Sequence, residues 1–139
     1  MNATISSIDD RYEINFAPFK PTTNQEQMVA AIIRRMLHFH IFRVQLDDAR
    51  DMDEYVARRV RQEGTKARVE GFRLADQAAQ AGVRISYDDD MLRREAINIA
   101  YSINRRNIED AMALEEEVVS IAVTHSLYGT DLEDLRIAA

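Results

Sequence analysis

Histidine titrates near neutral pH and is the commonest protein metal ligand, so His38, His40 and His125 are the first residues with chemical capacity to test. His38 and His40 stand two apart, and on a helix positions i and i+2 point about 200° from each other. They do not converge on one ion, and neither HExxH nor ExxH occurs in the chain. His125 falls near the end of the last helical pattern, where a cation interacts with the C-terminal dipole. The acidic runs Asp88 to Asp90 and Glu115 to Glu117 lack EF-hand spacing; they read as helix capping and a solvated face. With no Cys there is no thiol nucleophile, thiolate zinc site or disulfide. Gly64, Gly71, Gly82 and Gly129 are isolated from one another, which excludes glycine-rich phosphate cradles and nucleophile elbows. The chain is expected to be non-enzymatic, with no metal and no cofactor.

Arginine is the other chemical resource. Of the 18 basic residues only Lys20 and Lys66 are lysines, against 24 acidic residues and a net charge of -6. Such a balance disfavours nonspecific coating of nucleic acid. Most arginine doublets have acids one helical turn away: Asp89 with Arg93, Asp90 with Arg94, Arg105 with Glu109, Arg106 with Asp110 and Glu54 with Arg58. Arg34 and Arg35 have none, their neighbours at four residues being Ala30, Ala31, His38 and Phe39. An isolated charge among apolar residues is costly, so the pair is expected to reach another helix, another subunit or a phosphate. Arg34, Arg35, Arg58, Arg59 and Arg61 are the candidate phosphate contacts.

The elements that must hold these residues are helical. Thr23 and Glu26 have capping-box spacing, and apolar residues from Val29 to Ile41 follow at helical intervals. This places a helix start near Asn24. The pattern runs on to Gly64, read as a helix end, and a further helix is expected over residues 65–81, stopped by Gly82. Asp88 to Asp90 open the last segment, which reaches Tyr128 and stops at Gly129. Gly71, Ala75 and Ala79, four apart, form a small-residue seam for close backbone approach. Leu92, Ala96, Ile99 and Ile103 make one apolar seam, and Ala111, Leu114, Val118, Ile121 and His125 another, with a slip at 104–107. Thr130 and Glu133 are expected to cap a short turn.

Residues 1–23 hold both prolines and alternate Tyr12, Ile14 and Phe16 with polar residues, a strand-like pattern, with Phe19 beyond it. They are read as an extended arm that covers a surface, with Val83, Ile85 and Tyr87 as the matching stretch for pairing. The domain organisation expected is an arm at 1–23, a helical bundle at 24–129 and a tail at 130–139. One helix over 24–63 would span about 60 Å, whereas a globule of this length has a radius of gyration of about 14 Å. Either the long segments break, near Asp47 or Asp48 and at Asn107, giving five ordinary helices, or they stay long and leave apolar stripes for other subunits.

The fold class expected is therefore all-α: a bundle of long helices with an extended N-terminal arm and at most a short two-stranded β element. No signal peptide or membrane span is read from the sequence, and an intracellular, cytoplasmic setting is expected. Residues 65–87 carry four bases and two acids, while 88–128 carry four bases and nine acids, a contrast suited to docking of subunits. The functional expectation is an oligomeric assembly or adaptor protein that binds copies of itself and another protein of a larger assembly. Its layout resembles small helical components of phage particles, connector or packaging subunits, without a shared motif. The interface residues expected are Tyr12, Ile14, Phe16, Phe19, Arg34, Arg35, Gly71, Ala75 and Ala79. The alternatives are a nucleic-acid-binding helical regulator and a small acidic inhibitor that masks a partner protein.

Overall fold

A computed structural model describes residues 4–5, 14–15, 23–48, 53–83 and 85–129. Among these residues four helices carry the fold: α1 (Asn24–Asp48), α2 (Glu54–Gln80), α3 (Asp89–Asn104) and α4 (Ile108–Tyr128). Helix α1 is the hub, packed against each of the other three, while α3 and α4 form a hairpin beside it. Its central role follows from its composition. Val29, Ile32, Ile33, Leu37 and Ile41 are buried, as are His38, His40 and Gln45 on the polar positions between them. A helix apolar over most of its circumference must be surrounded. The core continues through Leu92, Ala96, Ile99 and Ile103 of α3, the seam expected from sequence, and through Ala111, Val118, Val119, Ala122 and Val123 of α4.

The helix ends follow local chemistry. The Thr23 hydroxyl accepts from Glu26 N–H at 3.0 Å and the Glu26 carboxylate accepts from Thr23 N–H at 3.0 Å, closing the capping box. Asp88 accepts from Met91 N–H to open α3, and Asn107 accepts from Asp110 N–H to open α4. After α2, Gly82 N–H reaches Ala79 O and Val83 N–H reaches Ala78 O, a Schellman closure with Gly82 at φ 80°. The same pair of bonds ends α3, where Arg106 takes the left-handed position at φ 59°. An arginine there bears the steric cost a glycine avoids, about 1 kcal/mol. Gly129 ends α4 at φ 64°, as its position predicted.

Four expectations need correction. The chain breaks after α1, but the new cap is Asp53, which accepts from Tyr55 N–H at 2.7 Å; Asp47 lies within α1. Gly64 does not end a helix. It lies inside α2 because a Cβ there would stand 3.3 Å from Phe42 Cβ, so glycine serves close approach to α1. The segment over 65–81 is accordingly the second half of α2, and the described residues form four helices, not the five that breaking both long segments would give. Finally, within one chain and among the described residues, Ile14–Asn15 (β2) pairs antiparallel with Thr4–Ile5 (β1), Ile5 opposite Ile14, and not with residues 83 or 85–87. A partner close in sequence costs less loop entropy, while Val83 is buried in the core and Ile85 and Tyr87 pack against it. The turn at Thr130 and Glu133 lies outside the described residues.

Among the described residues helix α2 packs along α1 alone, with no backbone approach to α3 or α4. Its buried positions, Val60, Gly64, Ala67, Gly71 and Ala78, make one narrow stripe of mostly small side chains. One stripe suits one neighbour. The remaining faces of a helix about 40 Å long point away from the core.

Candidate functional site

Two groups of side chains stand out. The first is buried. Glu115, wholly inaccessible on α4, accepts through Oε1 from Arg34 Nη1 at 2.9 Å and from His38 Nε2 at 2.6 Å. Arg34 and His38 stand four apart on α1, so one turn of that helix presents both to a single carboxylate. Nη2 of Arg34 and Oε2 of Glu115 are buried without hydrogen-bond partners among the described residues. His40 turns to a different helix, its Nε2 donating to Asp89 Oδ1 at 2.8 Å. The two histidines thus address α4 and α3 separately, as their spacing predicted. Their chemistry is cross-linking of helices by charge-assisted hydrogen bonds. Among the described residues no cluster of His, Cys, Asp and Glu is arranged to hold a metal ion.

The second group is a surface strip along the α1–α2 edge. The Arg68 guanidinium lies 5.2 Å from the Phe39 ring centroid and 5.4 Å from that of Phe72, and Arg43 lies 5.7 Å from Phe39. These are cation–π distances. Arg58 and Arg61 continue the line on α2 and form no ion pair among the described residues. Phe72 is 49% exposed and Val69 60%, large values for apolar side chains one helical turn apart. Farther round α2, the Arg59 guanidinium donates to the Tyr55 hydroxyl at 3.0 Å. Glu70, pulled below the usual carboxylate range by its hydrogen bond to Arg73, pairs with that residue.

The residues singled out from sequence separate accordingly. Arg34 reaches another helix, one of the three destinations considered for it, whereas Arg35 stays exposed, with its Cβ beside Gly71. Gly71 is buried in the α1–α2 seam, Ala75 is half-buried against the core and Ala79 is exposed. Arg58 and Arg61 are exposed and Arg59 is partly covered. Tyr12, Phe16 and Phe19 lie outside the described residues, and Ile14 belongs to β2.

Two readings change. Glu115 does not share the solvated face expected for 115–117, because the α4 register sets it in line with Ala111, Val118 and Ala122. Of the expected intrahelical pairs, Asp89–Arg93 is present at 3.8 Å, but Asp90 meets Arg93 at 3.4 Å in place of Arg94. Arg105 and Arg106 fall in the α3–α4 turn, so Arg105 donates to the Tyr101 hydroxyl and Asp110 instead accepts from Ser102. Glu54 and Arg58 form no ion pair among the described residues.

Half-buried Tyr87, just before α3, has its phenol pushed above the ordinary tyrosine range, first by desolvation and then by the Asp89 charge. No helix among the described residues is long and apolar enough to cross a membrane. Comparison with protein-family models, curated proteins and solved structures gives no match.

Proposed function

We propose that this chain is a non-enzymatic assembly or adaptor protein whose copies join through the outward faces of its long helices. The observation that carries this reading is the position of α2: among the described residues it leans on α1 alone and presents Val69 and Phe72 outward. Exposed Ile97 and Tyr101, one turn apart on α3, offer a second apolar patch. Adjacent exposed apolar side chains are the usual mark of a surface that another protein covers. The strongest convergence of ionisable groups, at Glu115, is spent inside the fold on joining α1 to α4. In its finer form the proposal is a component of a larger particle, of the connector or packaging kind, in which such helices stack between neighbours. Replacing both Val69 and Phe72 with Ser is expected to reduce the mass of the associated species seen by light scattering while the circular dichroism stays helical. An unchanged mass would show that this face takes no part.

A further inference from the structure

Helix α4, which packs on α1 without touching α2, carries the charge opposite to that of the α2 basic strip. Its acids are Glu109, Asp110, Glu115, Glu116 and Glu117, and it holds neither Lys nor Arg. Glu115 is consumed by Arg34 and His38, and Asp110 accepts from Ser102. Glu109 and Glu116 are exposed, Glu117 is half-exposed, and none of the three forms an ion pair among the described residues. Along α2, Arg58, Arg61, Arg68 and Phe72 recur on one flank, which has no acid between Glu54 and Asp76. Arg61 and Arg68 are seven residues apart, as are Glu109 and Glu116, so each pair spans about 10.5 Å along its helix. Between the two glutamates lies exposed Ala113, small enough to admit the Phe72 ring or a guanidinium head.

We propose that the α2 strip of one copy docks on the α4 acidic face of a second copy. This deepens the assembly reading and rests on it. The two surfaces lie on different helices of one chain and do not touch each other within it. Such a contact either closes reciprocally in a two-fold dimer, each α2 on the other copy's α4, or repeats head to tail into a ring or an open filament. Each exposed ion pair contributes little by itself. The pairing sets partner, register and encounter rate, while Phe72 and Val69 supply apolar burial. A polyanion such as nucleic acid would meet the same arginines, but the α4 carboxylates Glu109, Glu116 and Glu117, without an ion pair among the described residues, and the net charge of -6 favour an acidic protein surface as occupant.

Charge reversal in two halves tests this. Light scattering is applied to the wild type, to Arg61→Glu with Arg68→Glu, to Glu109→Arg with Glu116→Arg, and to an equal mixture of the two variants. Each variant alone is expected to fall to the 16.0 kDa of a single chain. The mixture is expected to associate again, because in alternation every α2 finds an α4 of opposite sign. Variants that stay as heavy as the wild type overturn the α2–α4 contact and leave assembly through another surface. So does a mixture of folded variants that fails to associate. A wild type of single-chain mass at every concentration overturns the assembly reading itself. If the reversals unfold the chain, Arg61→Gln with Arg68→Gln and a salt series on the wild type replace them, with association expected to weaken in both. An Arg61→Glu, Arg68→Glu variant with unchanged mass that no longer retains a DNA oligonucleotide would assign the strip to a polyanion and overturn the proposal.

Discussion

Replacing Glu115 with Ala is expected to be the most destabilising single polar substitution in the chain, at about 3 to 5 kcal/mol, the usual cost of leaving a buried charge without its partner. The reason lies in what remains. Arg34 and His38 would still face the α1–α4 interface, with side chains only 17% and 10% exposed. The guanidinium cannot lose its charge. Glu115→Gln should cost less, since an amide oxygen still accepts from Arg34. The cluster is also imperfect, with one guanidinium nitrogen and one carboxylate oxygen lacking partners among the described residues. A triple variant, Arg34→Met with His38→Leu and Glu115→Leu, is therefore expected to match or exceed wild-type stability. Urea unfolding followed by circular dichroism measures all three. A Glu115→Ala cost below about 1 kcal/mol would mean that the cluster is solvated in the folded protein.

The second large effect is expected in the α1–α2 seam. A Cβ at Gly71 would stand 2.8 Å from Met36 Sδ and 3.4 Å from Arg35 Cβ, and one at Gly64 would stand 3.3 Å from Phe42 Cβ. Alanine at Gly71 is tolerable, because the Met36 side chain can swing aside and the helix gains about 1 kcal/mol in propensity. Valine at both sites is not. Its branches meet Phe42 Cβ and Arg35 Cβ, which move only with the α1 backbone, and overpacking of this kind costs about 1 to 3 kcal/mol per site. Since α2 has no other helix to lean on among the described residues, the loss should be local. Amide exchange is expected to accelerate over 54–80 in the Gly64→Val, Gly71→Val variant while α3 and α4 remain protected. Equal acceleration in all four helices would show that α2 is bound into one cooperative unit with the rest.

Much of this architecture was legible because its signals are local. Thr23 with Glu26, Asn107 with Asp110, and Gly129 each satisfy backbone groups within a turn of themselves, so spacing alone identifies them. Gly64 was misread for a physical reason. A glycine that ends a helix and one that admits a neighbouring helix look alike in sequence, and only the position of Phe42 separates them. Glu115 was hidden among Glu116 and Glu117, although its intervals from Ala111 and Val118 placed it in the apolar register. A carboxylate in that register, together with Arg34 lacking an acid on its own helix, was the available signal that the two meet. The stacking of Arg68 between Phe39 and Phe72 gave no such sign, since it depends on the antiparallel register of α1 against α2.

The central claim is that the outward faces of these helices are covered by other copies, and the mass of the unmodified chain in solution tests it most directly. Sedimentation equilibrium across a wide concentration range is expected to give a weight-average mass above 16.0 kDa that rises with concentration until the assembly closes or precipitates. A mass of 16.0 kDa that holds unchanged to the highest concentration would contradict it.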